Sequence, residues 1–159
     1  MNLSENLITE IRAIAINLVP KIHTLNLSHN SLTNVANLSS LSDLEHLNLS
    51  NNRIEQLTEL HTKLGNVKSI NLAQNKVRRL DGLGKVYGLV HLDVRSNQIS
   101  DLETVRCLAC LPCLEGLTLT GNSVTTLLDF RTKVLTMFGN FVHIVHIVVK
   151  ERKRVILLL

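Results

Sequence analysis

Tryptophan is absent from this sequence, tyrosine occurs once and phenylalanine three times, so aromatics make up only 3% of the 159 residues. A core without large rings must be filled by interchangeable aliphatic layers, and leucine, isoleucine and valine dominate the 45% apolar content. That content excludes a disordered chain, and the length suits one domain. Strong charge of either sign is also lacking. The formal net charge is +4, much of it in residues 150–154. No basic stripe interleaves with aromatics, which argues against a nucleic-acid partner. No apolar run reaches the ~18 residues of a membrane span; the longest are 141–149, interrupted by His143 and His146, and 155–159. The opening Met1-Asn-Leu-Ser-Glu-Asn-Leu-Ile-Thr-Glu10 carries acids where a secretory signal needs a basic start. A cytoplasmic address is therefore expected. The sequons at Asn2, Asn26, Asn37 and Asn48 come from a recurring Asn-Leu-Ser and are read as chance.

Reactive constellations are equally scarce. Cys107-x-x-Cys110-x-x-Cys113 has metal-like spacing, but zinc wants four ligands, usually from two separated pairs, and no second cluster follows. Cys110, between Leu108 and Leu111, reads as a small core residue. His143 and His146 lack a third ligand, and Gly82-Leu-Gly84 lacks the rest of a phosphate-loop fingerprint. No serine, histidine and acid arrangement stands out. No catalytic residue, cofactor or metal ligand is assigned, and a hydrolytic or metal-binding enzyme is the last of the readings.

What the sequence does contain is a repeat. Five segments fit Leu-x-x-Leu-x-Leu-x-x-Asn-x-Leu with other aliphatics allowed: Ile22-His-Thr-Leu-Asn-Leu-Ser-His-Asn30-Ser-Leu, Leu44-Glu-His-Leu-Asn-Leu-Ser-Asn-Asn52-Arg-Ile, Val67-Lys-Ser-Ile-Asn-Leu-Ala-Gln-Asn75-Lys-Val, Leu89-Val-His-Leu-Asp-Val-Arg-Ser-Asn97-Gln-Ile, and Leu114-Glu-Gly-Leu-Thr-Leu-Thr-Gly-Asn122-Ser-Val. The motif asparagines follow one another at 22, 23, 22 and 25 residues. That period is the signature of leucine-rich repeats. The expected fold is α/β, a leucine-rich-repeat solenoid with a short parallel sheet on its concave side and short helices or 3₁₀ turns on its convex side.

Each motif position has a physical duty. In Leu47-x-Leu49 both leucines point inward and Asn48 points out, because side chains alternate along a strand. The chain then turns away and leaves backbone groups without ladder partners. A buried asparagine offers two donors and an acceptor to satisfy them, which aspartate or leucine does not. Asn30, Asn52, Asn75, Asn97 and Asn122 are therefore read as a structural ladder. The outward positions form three rows: Thr24, His46, Ser69, His91, Gly116; then Asn26, Asn48, Asn71, Asp93, Thr118; then Ser28, Ser50, Ala73, Arg95, Thr120. A protein partner is expected there, as a polar peptide or loop on His46, Asn48, Asn71, His91, Asp93 and Arg95, although the aromatic anchors of tight interfaces are missing.

The ends are read separately. Residues 1–21 form an N-terminal helix or the remnant of a preceding repeat, since Leu3, Leu7, Ile8, Ile11 and Leu18 have helical spacing. Residues 22–127 hold the five repeats. In the longest, Leu102, Val105, Leu108 and Ala109 have helical spacing behind an Asp101 cap. Residues 128–140 are expected to be a capping helix with Val134, Leu135 and Phe138 on one face. The hydrophobic and basic tail, 141–159, matches no repeat. Its readings are an added strand, a membrane-surface contact through its basic cluster, or a gene-prediction artefact, with the artefact preferred.

Between the repeats the wording becomes specific. His-Thr-Lys-Leu at 61–64 followed by Gly65-Asn-Val-Lys68, Leu89-Val-His-Leu92, Leu111-Pro-Cys-Leu-Glu115 and Phe130-Arg-Thr-Lys-Val134 together resemble the leucine-rich-repeat region of the nischarin family, over residues 18–139. The resemblance implies a cytoplasmic and endosomal scaffold in integrin, Rac and p21-activated kinase signalling that restrains cell migration. Its partner would be a signalling protein or a cytoplasmic receptor tail. That family carries a phosphoinositide-binding phox-homology domain, for which this chain has no room, so a fragment or truncated product is expected. Lipid and integrin binding are not carried over, and peripheral membrane contact is expected only with flanking domains present. The alternative is a phosphatase- or cytoskeleton-regulatory protein of similar repeat type.

Overall fold

The computed structural model describes residues 1–12, 21–38, 41–57, 60 and 64–138, and the backbone of 146–148. Within them six three-residue strands form one parallel sheet in chain order: β1 Thr24–Asn26, β2 His46–Asn48, β3 Ser69–Asn71, β4 His91–Asp93, β5 Gly116–Thr118 and β6 His146–Val148. Leu25, Leu47, Ile70, Leu92 and Leu117 stand in register across β1 to β5, and all are buried. Leu27, Leu49, Leu72, Val94 and Leu119 form a second buried layer, and Leu32, Ile54, Val77, Ile99 and Val124 a third. Burying each such side chain stabilises the fold by about 1.5–3 kcal/mol. Layers of one size repeat because every repeat packs only on its neighbours.

The chain leaves each of β1 to β5, and the segment that pairs with β1, through a left-handed residue. Glu5, His29, Asn51, Gln74, Ser96 and Gly121 have φ between 53° and 75°, each just before Asn6, Asn30, Asn52, Asn75, Asn97 and Asn122 respectively. A residue with a Cβ loses about 1–2 kcal/mol in that conformation. The strained backbone is tied down by its neighbours: the N–H groups of His29, Asn51, Gln74 and Ser96 donate to the carbonyls of Ser50, Ala73, Arg95 and Thr120 at 2.8–3.0 Å.

The return path on the convex side is built from i→i+3 turns, such as Leu44 N–H to Leu41 O and Leu89 N–H to Val86 O. Three of them lengthen into 3₁₀ turns at Asp81–Leu83, Cys107–Cys110 and Ser123–Thr126. The 25-residue interval makes room there for an α-helix, α1 Leu102–Arg106. Asp101 caps it by accepting from the Glu103 N–H at 3.0 Å. A second helix, α2 Phe130–Phe138, buries Phe130, Val134 and Phe138 against α1 and the turn Ser123–Thr126. Leu135, expected on that buried face, is exposed instead.

The N-terminus has two readings from the sequence, a helix or the remnant of a preceding repeat. Residues 1–12 contain no helical turn. Asn2 bridges Asn26 in parallel, and Leu3 N–H donates to Asn26 O at 2.8 Å while Asn26 N–H donates to Met1 O at 3.0 Å. Met1-Asn-Leu-Ser-Glu-Asn6-Leu-Ile8 is the second half of another repeat. Leu3, Ile8 and Ile11 each lie 24 residues before Leu27, Leu32 and Val35. The same three apolar positions satisfy helical spacing and the repeat, and pairing with β1 decides between them. Residues 13–20, including Leu18 of the expected helix, lie outside the described residues. Of the tail, His146–Val148 pair in parallel with β5, Gly116 opposite His146 and Thr118 opposite Val148. Residues 141–145 and 149–159 lie outside the described residues.

Gly121 is the one glycine at the left-handed position, and an added Cβ would lie 2.9 Å from Ser96 Oγ. Replacing it with valine is expected to cost about 2–4 kcal/mol, from backbone strain and overpacking together, measured as the shift in a urea unfolding curve.

Candidate partner-binding face

The site is organised by two rows of amides. The inner row is Asn30, Asn52, Asn75, Asn97 and Asn122, all buried. In Asn52 the Nδ2 group donates to Leu49 O at 3.0 Å and Ser50 O at 3.2 Å within its own turn, and to Leu27 O of the preceding repeat at 2.9 Å. Its Oδ1 accepts from Leu32 N–H at 3.0 Å. Asn75 repeats the pattern with Leu72 O, Ala73 O, Leu49 O and Ile54 N–H, and Asn97 does so with Val94 O, Arg95 O, Leu72 O and Val77 N–H. Each amide therefore closes its own turn and staples it to the turn before. Asn6, exposed, makes the two bonds within its turn, to Leu3 O and Ser4 O.

The outer row lies on the strands. Asn26, Asn48 and Asn71 are half-buried, and each Oδ1 accepts the backbone N–H two residues on: Ser28 at 3.1 Å, Ser50 at 3.0 Å and Ala73 at 3.0 Å. Asn2 does the same with Ser4 N–H at 3.1 Å. Asp93 replaces the amide on β4 and accepts from Arg95 N–H at 3.0 Å. These Asx turns steer the chain out of the strand. Asn48, Asn71 and Asp93 thus have one atom engaged in the fold and one turned outward.

The third row belongs to the interior for most of its length. Ser28, Ser50 and Ala73 are buried, against the expectation of an open face, because the chain bends inward directly after the Asx turn. Arg95 is exposed and pairs with Asp93, Nη2 to Oδ2 at 2.8 Å. His46 and His91 are both exposed. His91 leans over β5, since a Cβ added at Gly116 would lie 2.6 Å from its Nδ1. The missing side chain at Gly116 makes room for that ring, and a shallow depression of about 530 Å³ lies over β3–β5, lined by Ser69, Asn71, His91, Asp93, Glu115 and Thr118 among others. Arg95 flanks it through Asp93. His46 and Asn48 lie outside it. Gly116 and Glu115 are the contributors not singled out from the sequence; a glycine among side chains in an outward row was the signal.

A second hollow, about 370 Å³, sits at the strand entrances between His23, Asp43, Glu45, Asn66 and Lys68. Lys68 donates to Glu45 at 2.8 Å and holds its carboxyl below the usual carboxylate range. No cluster of three or more histidine, cysteine or acidic side chains fit for a metal occurs among the described residues. Among the cysteines the half-buried one is Cys107, not Cys110, which is exposed with Cys113. Cys107 Sγ donates to Thr104 O at 3.0 Å, and burial, reinforced by Asp81 and Cys110, pushes its thiol up to about 12. Side-chain geometry at His143 and His146 lies outside the described residues. No helix among the described residues is long and apolar enough to cross a membrane.

With this geometry, a family model for leucine-rich repeats in two copies matches residues 20–60. The chain has the leucine-rich-repeat fold. Among solved structures it is similar to an internalin of Listeria monocytogenes, at 22% identity and TM-score 0.73 over 94% of this chain and 40% of that one. A leucine-rich-repeat protein of Leptospira interrogans aligns at 23% and 0.78 over 93% and 36%. A chain of the SNF/U2A′ complex of Drosophila melanogaster aligns at 23% and 0.55 over 96% and 74%. The chain thus spans well under half of the first two, and similarity at this level carries the fold alone.

Two outcomes follow from the amide rows and the thiols. Asn75→Asp removes donors from buried carbonyls and is expected to cost about 3–5 kcal/mol at pH 7. Asn71→Asp, copying the Asp93 turn, should stay within about 0.5 kcal/mol; matched urea titrations measure both. In thiol titration at pH 8, Cys110 and Cys113 should react in the native protein and Cys107 only after unfolding.

Proposed function

We propose that this chain is a protein-binding module whose concave sheet captures a polar segment of a partner protein. The observation that carries the reading is the depression over β3–β5, lined by His91, Asp93, Asn71 and Thr118 on a rigid sheet, with His91 seated over Gly116. Hydrogen-bonding groups fixed on strands lose little freedom on binding, which favours recognition. The Drosophila neighbour, a chain within a protein complex, lends the same reading a precedent of fold.

The finer part of the proposal is a nischarin-like scaffold in integrin, Rac and p21-activated kinase signalling that controls cell migration, at a cytoplasmic address with endosomal association. Its support is the wording between the repeats, at 61–68, 111–115 and 130–134. The test is surface plasmon resonance of this chain against Rac and against p21-activated kinase, with His91→Ala/Arg95→Ala beside the wild type. At least about a tenfold loss of affinity is expected in the double variant. Unchanged affinity would remove the partner from this face, and failure of both proteins to bind the wild type would sink the nischarin-like assignment.

A further inference from the structure

We propose that the β1–β3 half of the concave face receives an acidic segment of the partner, a step that rests on the protein-binding reading and names the chemistry of its occupant. The starting point is which amide atoms are free. In Asn2, Asn26, Asn48 and Asn71 the Oδ1 atom is committed to the N–H two residues on. That bond fixes the orientation of each amide. The Nδ2 groups have no acceptor among the described residues, and each offers N–H donors to whatever covers the sheet.

Register makes these donors a line. Asn26, Asn48 and Asn71 stand opposite one another on paired strands, and Asn2 bridges Asn26. Their spacing is that of neighbouring strands, about 4.8 Å. The adjoining outward positions on the same strands are Thr24, His46 and Ser69, so no acid stands among the outward positions of β1–β3, and Glu5 lies at their edge beside Ser28. Along the strand exits Arg53 and Lys76 follow the ladder asparagines, with Arg78 beyond them. Arg53 has no ion pair among the described residues, Arg78 bonds the neutral Gln98, and Lys76 meets Glu55 only at 3.9 Å. Entrance-side charges nearly cancel, with Glu45 taken up by Lys68.

Donors in a row beside unspent positive charge fit a segment rich in carboxylates, lying across the strands. The footprint ends at β4. There the amide becomes Asp93, which turns Oδ2 outward and neutralises Arg95. A cationic or donor-rich segment would be mismatched on β1–β3.

Asp93 also supplies the control, because it shows that aspartate keeps the turn while reversing the outward atom. The experiment titrates a fluorescent peptide of alternating glutamate and serine into the full chain, beside the same peptide with lysine for glutamate and an oligouridine RNA. Asn26→Asp/Asn48→Asp/Asn71→Asp should bind the acidic peptide at least about tenfold more weakly than wild type with an unchanged unfolding midpoint. Thr33→Asp/Gln56→Asp/Ser100→Asp adds equal charge at exposed positions outside the row and should change binding less than about threefold. The proposal is overturned by equal losses in the two variants, by no loss in the row variant, by preference for the lysine peptide or RNA, or by no acidic-peptide binding up to about 1 mM. If the row variant keeps the affinity of wild type for Rac or the kinase while His91→Ala/Arg95→Ala loses it, this inference falls and the protein-binding reading stands. If neither variant weakens that binding, both fall.

Discussion

A carboxamide is the one uncharged side-chain group that offers two N–H donors and a carbonyl acceptor together. The sheet depends on that combination at the exits of β1 to β5. A three-residue strand makes too few ladder bonds to hold a chain that must turn sharply at once, and the turn carries a strained left-handed residue. One buried asparagine per repeat gathers the loose carbonyls of its own turn and of the turn before, and its oxygen satisfies an N–H on the neighbouring return path. The aliphatic layers supply the larger share of the favourable free energy, but leucine packing is nearly indifferent to a slip along the stack. The amides set the interval. Hydrogen bonds of defined length and direction turn a greasy stack into one with a fixed phase.

Asparagine serves the same chain in a second, opposite way. On the strands it faces out, spends its oxygen on the next turn and leaves its nitrogen to the outside. One residue type thus works as mortar inside and, outside, leaves a donor without an acceptor among the described residues. The difference is set by position alone: Asn71 lies four residues after the strand-entry Val67 and four before the buried Asn75. Composition cannot distinguish them, since both rows read as asparagine beside leucine.

The five repeats could be read directly because inward leucines and the ladder asparagine recur at fixed offsets, and each has a duty no substitute meets. The α1 cap was legible for a similar reason, as Asp101 precedes apolar residues at helical spacing. The N-terminal half-repeat was legible only as one of two readings, a helix or the remnant of a preceding repeat. It lacks the Leu-x-x-Leu that opens the motif, and Leu3, Ile8 and Ile11 serve two periodicities equally well. The left-handed position escaped too, because glutamate, histidine, asparagine, glutamine and serine occupy it and only Gly121 advertises it. At the candidate site the rows of outward residues were correct in register, yet the third row turned inward at Ser28, Ser50 and Ala73. Alternation predicts which side a residue takes only while the strand lasts, and these strands end after three residues.

Every repeat spends the same short strand on the inner side, while the outer side varies. The interval from Asn97 to Asn122 is three residues longer than the one before it, and the surplus was absorbed as α1 without disturbing the pairing of β4 and β5. Thickening the outside of one segment while its inside stays constant makes that segment a wedge. Curvature is thereby adjustable piece by piece through insertions that never reach the hydrogen-bonded rungs, so the bend of the surface and the chemistry it displays are free to evolve independently.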